Sequence, residues 1–250
     1  MNLQEFAAEI RECRHTVFFT GAGISTESGV PDFRSPGGIW TKYTPVYFSE
    51  FMEDEAARIR YWKMKKESHE LYKTVQPNIG HHSISAFEKR GQLLGLITQN
   101  VDGLHSLAGV SEEKLVELHG TDRKITCLSC QKSFDVDKVY DSISGDFTPP
   151  VCDACNGLLK PATISFGQPM PADAMKRVQE LSQSARIFIV IGSSLQVQPA
   201  ASFPVIAKQN DALLAIINRE ATPLDSLADY NFKGPIGDFF EQLNPMLLDG

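Results

Sequence analysis

The chain has little of what would place it in a membrane, in an oxidising compartment or on a nucleic acid. No apolar run approaches the roughly 20 residues that a membrane-spanning helix needs, and Met1-Asn2-Leu3-Gln4-Glu5 lacks the basic segment of a secretory leader. Basic residues are in deficit, 24 Lys and Arg against 31 Asp and Glu, and the net charge of -7 argues against a phosphate backbone or an anionic lipid surface as the main partner. Cysteines number five, an odd count, and four of them stand in Cys-x-x-Cys pairs, which disfavours a disulfide framework. Internal repeats and low-complexity tracts are absent. The expectation is a reduced, cytoplasmic protein with no membrane partner and no direct nucleic-acid partner. With 250 residues, 42% of them hydrophobic, it can bury one large core or a large core with an insert.

What is present is a series of short apolar strands. Val17-Phe18-Phe19 reads as a buried strand, and Thr20-Gly21-Ala22-Gly23 follows it directly. Gly-x-Gly after a buried strand permits a tight turn and brings amide N–H groups to an anion at a helix start. The usual dinucleotide fingerprint has a third Gly or Ala where this chain has Thr26, and no Gly-Lys-Ser/Thr follows to make a P-loop. The turn continues through Ile24-Ser25 into Pro31-Asp32-Phe33-Arg34, an acid, an aromatic ring and a guanidinium at one rigid bend. Four further runs have the same character. Leu94–Thr98 ends in Gln99-Asn100-Val101-Asp102-Gly103-Leu104-His105, and Lys114–Leu118 ends in His119-Gly120. Arg186–Ile191 ends in Gly192-Ser193-Ser194, and Leu213–Ile217 ends in Asn218-Arg219-Glu220. Continuously apolar strands separated by helical stretches predict an α/β fold with a parallel sheet covered on both faces. Ligands of such sheets bind beyond the carboxyl ends of the strands, so the five exits predict one crevice.

Between the strands, Leu3, Phe6, Ile10 and Cys13 share one face of a first helix, with Cys13 read as a small apolar residue. The Pro- and Gly-rich stretch from Ser35 to Pro45 predicts a mobile lid carrying Ile39 and Trp40. Residues 49–75 predict helix with Phe51, Met52, Ile59, Trp62 and Leu71 buried, and His81-His82 predicts solvated or capping side chains rather than metal ligands. Cys127 and Cys130, then Cys152 and Cys155, form two knuckles separated by 21 residues. That spacing predicts a four-thiolate zinc site, structural because no coordination position stays open.

Together these motifs make the chain similar to the sirtuins of bacterial and archaeal type, the NAD-dependent protein lysine deacylases. The resemblance rests on Gly21-Ala22-Gly23-Ile24-Ser25, Ser28-Gly29-Val30-Pro31-Asp32-Phe33-Arg34, Thr98 to His105, His119-Gly120, the four cysteines, Phe166-Gly167, Gly192-Ser193-Ser194 and Asn218. It implies a Rossmann-like NAD-binding domain from 1–34, 86–119 and 161–250, and a small domain joining a helical module, 35–85, to a zinc module, 120–160. It implies NAD as co-substrate, one structural zinc, and acyl-lysine proteins or peptides as partners. Gly21, Ala22, Ser193 and the helix start after Gly23 would hold the pyrophosphate, and Asn218 and the loop near Ile236 the adenosine end. Ala22, Asp32, Phe33 and Arg34 would surround the nicotinamide end, Gln99, Asn100 and Asp102 its ribose and pocket, and Ser25, Thr26, Pro31, His119, Gly192, Ser194, Arg219 and Glu220 complete the cofactor-binding set. His119 would act as general base on a ribose hydroxyl, with Asn100 as its catalytic companion, while Phe33, Val101, Ile164, Phe166 and Gly167 would line the acyl-peptide cleft. Two departures bear on selectivity. Gln168 follows Phe-Gly where many relatives carry Glu, and Tyr61-Trp62-Lys63-Met64 lacks the Arg with which relatives that remove acidic acyl groups complete a Tyr-x-x-Arg pair. Acetyl or a longer apolar acyl chain is therefore expected, and transfer of ADP-ribose or hydrolysis of NAD at the same site is the alternative.

Overall fold

The structure, a computed structural model, describes residues 2–33, 35–143 and 147–248; the expected cofactor residue Arg34 lies outside them. In chain order, α1 (Leu3–Arg11), β1 (Thr16–Thr20) and a 3-10 turn (Ala22–Ser28) precede α2 (Ile39–Lys42), α3 (Phe48–Glu53), α4 (Glu55–Thr74) and α5 (Ile79–Lys89). Then come β2 (Leu93–Thr98), α6 (Leu104–Leu107), β3 (Leu115–Glu117), β4 (Gly120–Cys127), β5 (Ser133–Phe134), α7 (Val136–Ser142) and β6 (Leu159–Thr163). The chain closes with α8 (Ala172–Ser184), β7 (Ile187–Ile191), α9 (Phe203–Gln209), β8 (Leu213–Ile217), β9 (Tyr230–Phe232) and α10 (Ile236–Leu248).

Six strands form a parallel sheet in the order β3-β2-β1-β7-β8-β9. Counted within this sheet alone the order is 3-2-1-4-5-6, the doubly wound arrangement of dinucleotide-binding folds. The five apolar runs are five of these strands. The sixth, β9, had no signal in the sequence because it is a three-residue edge strand whose residues are only half buried. Alternation of side chains splits β1 between two cores. Phe18 packs with Phe6, Ile10, Phe87 and Phe240 on the face covered by α1, α5 and α10. Val17 and Phe19 pack with Val178, Phe188 and Phe203 on the face covered by α8 and α9. Cys13 packs against the first of these cores as an apolar residue would.

A second, three-stranded antiparallel sheet has the order β5-β4-β6. Its core draws Phe51, Ala57, Tyr61 and Trp62 from the helical stretch together with Ile125, Val139, Tyr140 and Leu159 from the cysteine-containing stretch. Neither stretch could bury that surface alone, which is why two segments distant in sequence meet. The single helix expected over 49–75 is broken at Asp54, whose carboxylate accepts from Ala56 N at 2.9 Å and Ala57 N at 3.2 Å and so starts α4 as its N-cap. Phe51 and Trp62 are buried as expected, but Met52 is exposed, and Ile59 and Leu71 are only half buried. Lys65, His69 and Tyr72 turn inward instead. Lys65 Nζ donates to Asp122 Oδ2 at 2.8 Å, and the His69 ring stacks on Tyr140 at 4.2 Å. A helix wedged between a small core and a cavity is covered on more of its circumference than a surface helix. The stretch 35–45, expected to be a structureless lid, contains α2, and its Lys42 and Tyr43 both bind Glu67 on α4.

The four cysteine sulfurs lie within 4.8 Å of one another, Cys127 to Cys155 at 3.5 Å and Cys130 to Cys152 at 3.7 Å. Zinc with sulfur ligands at about 2.3 Å in a tetrahedron requires sulfurs about 3.8 Å apart, so the donor set fits zinc. The backbone N–H groups of Cys130 and then Ser129 point at Cys127 Sγ and help lower its thiol to about 6, favouring the thiolate that a metal binds. Metal analysis should find one zinc per chain, and a chelator or Cys130→Ser should lower the melting temperature by roughly 10 °C. An unchanged melting curve after metal loss would remove zinc from the account of the small domain.

Candidate active site

The strand order reverses between β1 and β7, and here the backbones come closest. Gly21 N donates to Ile191 O at 2.9 Å, Gly23 N to Gly192 O at 2.9 Å, and Gly192 N to Ile217 O at 2.9 Å. A Cβ on Gly21 would lie 2.7 Å from Gly192 O, and one on Gly23 would lie 2.7 Å from Gly192 Cα. Gly192 itself has φ +62, a conformation that L side chains rarely adopt. The interlocked glycines open a cavity of about 700 Å³ at the carboxyl ends of the strands.

All five expected strand exits reach that cavity. Gly21, Ala22, Gly23 and Thr26 line it after β1, Gln99, Asn100 and Val101 after β2, and His119 after β3. Gly192, Ser193 and Ser194 line it after β7, and Asn218, Arg219 and Glu220 after β8. Asp32, Phe33, Ile164, Phe166, Gly167 and Ile236 complete the expected set within the wall. Ser193 is fixed from two sides: its Oγ accepts from Gln99 Nε2 at 2.8 Å and from Leu195 N at 3.3 Å.

His119 is set by its backbone. Ile164 N donates to His119 O at 2.8 Å, and Gly120, at φ +72, passes so close to Ala162 O that no side chain fits. The ring is then oriented by Nδ1, which lies 3.1 Å from Gln99 O. A carbonyl only accepts, so Nδ1 carries the proton and Nε2 is the basic atom at the cavity. Desolvation pushes the His119 pKa below 6.5, opposed by the bond to Gln99, so the neutral form prevails at pH 7.

Asn100 is held from behind. Its Nδ2 donates to Gly21 O at 3.2 Å and to Ser25 Oγ at 3.1 Å, which leaves the amide oxygen to offer to a ligand. Ser25 Oγ in turn donates to Asp102 Oδ2 at 2.8 Å, and Asp102 Oδ1 accepts from Leu104 N at 2.9 Å. Ser25 and Asp102, expected to bind the cofactor, are buried and not among the residues that line the cavity; Ser25 links Asp102 to Asn100, which does line it. Burial raises the Asp102 pKa, and the bonds from Leu104 and Ser25 limit the rise. His81 is fully buried, unlike the exposed His82, and joins this layer: it completes the cap of α5 with Asn78, and its Nε2 stands 3.4 Å from Ser25 Oγ. His105 reaches Thr20 Oγ1 at 2.9 Å. Burial holds both imidazoles neutral, His81 at about 3 and His105 well below 6.5.

At the open side, the rings of Phe33, Trp40, Phe166 and Tyr47 follow one another at 5.2, 6.2 and 5.9 Å, carrying the segment after the cradle across to the cleft. Gln168 closes a turn there, its Oε1 accepting from Ser165 N at 3.1 Å. Pro31 is exposed and does not reach the wall. The wall includes Tyr61 and Met64, the positions compared above with a Tyr-x-x-Arg pair, and residues outside the expected set: Lys65, Ser68 and Tyr72 from α4, Gln196 to Pro199, and Gly234 with Pro235. The α4 group could have been found as the i, i+3, i+4, i+7 row beginning at Tyr61, a stripe that reads equally well as core.

Comparison with known proteins agrees with this arrangement over most of the chain. An NAD-dependent protein deacetylase of Rhodopseudomonas palustris is 43% identical over 236 residues, 94% of this chain and 93% of that protein. An NAD-dependent protein deacylase 2 of Pyrobaculum aerophilum is 38% identical over 246 residues, 97% of this chain and 94% of that protein. A solved Sir2 structure with a deacetylated p53 peptide and 3′-O-acetyl ADP ribose matches with a TM-score of 0.90 at 35% identity over 98% of both chains. Sir2Tm bound to a propionylated peptide matches with a TM-score of 0.87 at 34% identity, again over 98% of both. Residues 21–199 match the model of the Sir2 family, and the chain belongs to that family.

Proposed function

We propose that the protein removes acyl groups, acetyl foremost, from lysine side chains of proteins at the expense of NAD, giving nicotinamide and O-acyl-ADP-ribose. The observation that carries this reading is His119, a neutral imidazole on the wall of the crevice at the sheet's switch point, whose Nδ1 is committed to a backbone carbonyl so that Nε2 is left as the basic atom. NAD supplies the ribose carbon and the nicotinamide leaving group. The residues suit it: the interlocked glycines leave room for a pyrophosphate beside Ala22 and Ser193, and Asn218 and Ile236 stand at the opposite end for adenosine. In this reading His119 accepts a proton from a ribose hydroxyl, Asn100 orients the same ribose through its amide oxygen, and Asp32 and Phe33 enclose the nicotinamide. The acyl-peptide lies against Val101, Ile164, Phe166 and Gly167 as an added strand. The pocket would fall between a large domain of 1–34, 86–119 and 161–250 and a small one of 35–85 and 120–160.

Acyl choice follows from α4. Met64 stands three residues after Tyr61 on the cavity wall, and the nearby ammonium of Lys65 is committed to Asp122. None of the α4 residues on the wall carries a guanidinium to meet a carboxylate with a bidentate fork, so acetyl- and propionyl-lysine peptides should be turned over with kcat/KM at least about tenfold above a succinyl peptide. Equal turnover of the succinyl peptide would contradict this account of α4.

Mass spectrometry of products from NAD and an acetyl-lysine peptide should show nicotinamide, free peptide and acetyl-ADP-ribose in equal amounts. All three should be lost by a factor of about 10² or more in His119→Ala. Cleavage of NAD with the peptide left acetylated would favour the ADP-ribosyl or hydrolase alternative. Because the base works in its neutral form and burial lowers its pKa, kcat/KM should rise with pH through an apparent pKa below 6.5 and level off by neutrality. A midpoint above 7 would contradict His119 as the base.

A further inference from the structure

Glu27 takes no part in the chemistry described above; the residue is exposed to solvent, yet it stands on the cavity wall. It projects from the 3-10 turn after the glycine cradle and accepts from the start of α10. Ile236 N donates to Oε1 at 2.9 Å, and Gly237 N lies 3.2 Å from Oε1 and 3.0 Å from Oε2. A Cβ on Gly237 would lie 2.5 Å from Glu27 Oε2, so a side chain there would displace the carboxylate from its present seat on the helix start. A helix of 13 residues carries positive partial charge at its first turn, and its free N–H groups would hold a phosphate as well as a carboxylate. This first turn faces the cavity, since Glu27, Gly234, Pro235 and Ile236 all line the wall, next to Asn218, Arg219 and Glu220.

We propose that Glu27 determines which nucleotide the pocket accepts: as a resident anion on the α10 N-terminus, it admits an adenosine with an unmodified ribose and turns away one carrying a ribose phosphate, as in NADP. The inference rests on the NAD reading above. Four other charges stand at this end. Glu220 adds to the repulsion and Arg219 opposes it, while Asp238 lies in the first turn of α10, and Lys233 is tied to Asp225 at 2.6 Å. Without Glu27 the balance tips, because the helix N–H groups and Arg219 then face the added phosphate together. Glu27 thus acts twice, filling the Ile236 and Gly237 N–H groups that could welcome that phosphate and placing a like charge beside it.

Isothermal titration of the zinc-loaded full chain with NAD, NADP and ADP-ribose tests this. Glu27→Gln keeps an oxygen for Ile236 and Gly237 while removing the charge, and Glu27→Ala removes both. Wild type should bind NADP at least about tenfold more weakly than NAD, and Glu27→Gln should narrow that ratio about tenfold at low salt and less at about 0.5 M salt. Glu27→Ala should narrow it further as the helix donors become free. Melting curves on the same samples report any loss of the cap as such. A ratio that stays constant in both variants while the melting temperature falls makes Glu27 a structural cap and overturns the proposal, as does a wild type that binds NADP as well as NAD. Failure of wild type to bind NAD or ADP-ribose overturns both this inference and the functional reading beneath it.

Discussion

The close backbone approach of Gly21 and Gly23 to Gly192 is the constraint on which the rest of the molecule depends. Two strands with crossovers leading in opposite directions separate at their carboxyl ends, and only residues without Cβ atoms let the turns after them interlock without pushing the strands apart. The turns then need no side chains of their own at the floor of the crevice, which leaves space for a ligand's phosphates. Gln99 continues this economy. Its backbone joins Thr20, its side chain fixes Ser193, and its carbonyl oxygen sets the tautomer of His119.

Behind the floor lies a layer of buried polar groups that is satisfied almost entirely by itself. Asn100, Ser25, Asp102, His81, His105, Thr20 and Thr98 bond to one another or to nearby backbone, with the buried Nδ1 of His105 left without a partner. A network of this kind in a low-dielectric setting fixes one arrangement of its members, because any rotation strands a donor or acceptor. Its effect at the surface is to present the Asn100 oxygen in one direction. The two neutral imidazoles add bonding groups to the layer without adding positive charge.

Much of this was legible in the sequence, for reasons that differ by region. Val17–Phe19, Leu96–Ile97, Ile187–Ile191 and Leu214–Ile217 are buried on both faces, and burial of that extent writes itself as unbroken apolar residues. Their exits were legible because short polar and glycine clusters have few other uses there. The edge strand Tyr230–Phe232 was not, since half-burial leaves a mixed pattern. The break at Asp54 and the inward turn of Lys65 and Tyr72 were hidden by tertiary context: a helix lying between a core and a cavity has no single apolar face. The placement of Ser25 and Asp102 behind the wall rather than in it follows from hydrogen bonds across 75 and 77 residues of chain, and no local pattern encodes such separations. The role of Glu27 was equally silent, because its partner helix begins 209 residues later.

The most direct test of the account is a crystal structure of the protein with ADP-ribose and an acetyl-lysine peptide. The account predicts the pyrophosphate against Gly21 to Gly23 and Ser193, the adenosine between Asn218 and Ile236, and a ribose hydroxyl within hydrogen-bond distance of His119 Nε2. Nucleotide bound elsewhere, or a ribose out of reach of His119 with the peptide in the cleft, would contradict the claim that the switch-point crevice is where NAD and acyl-lysine meet.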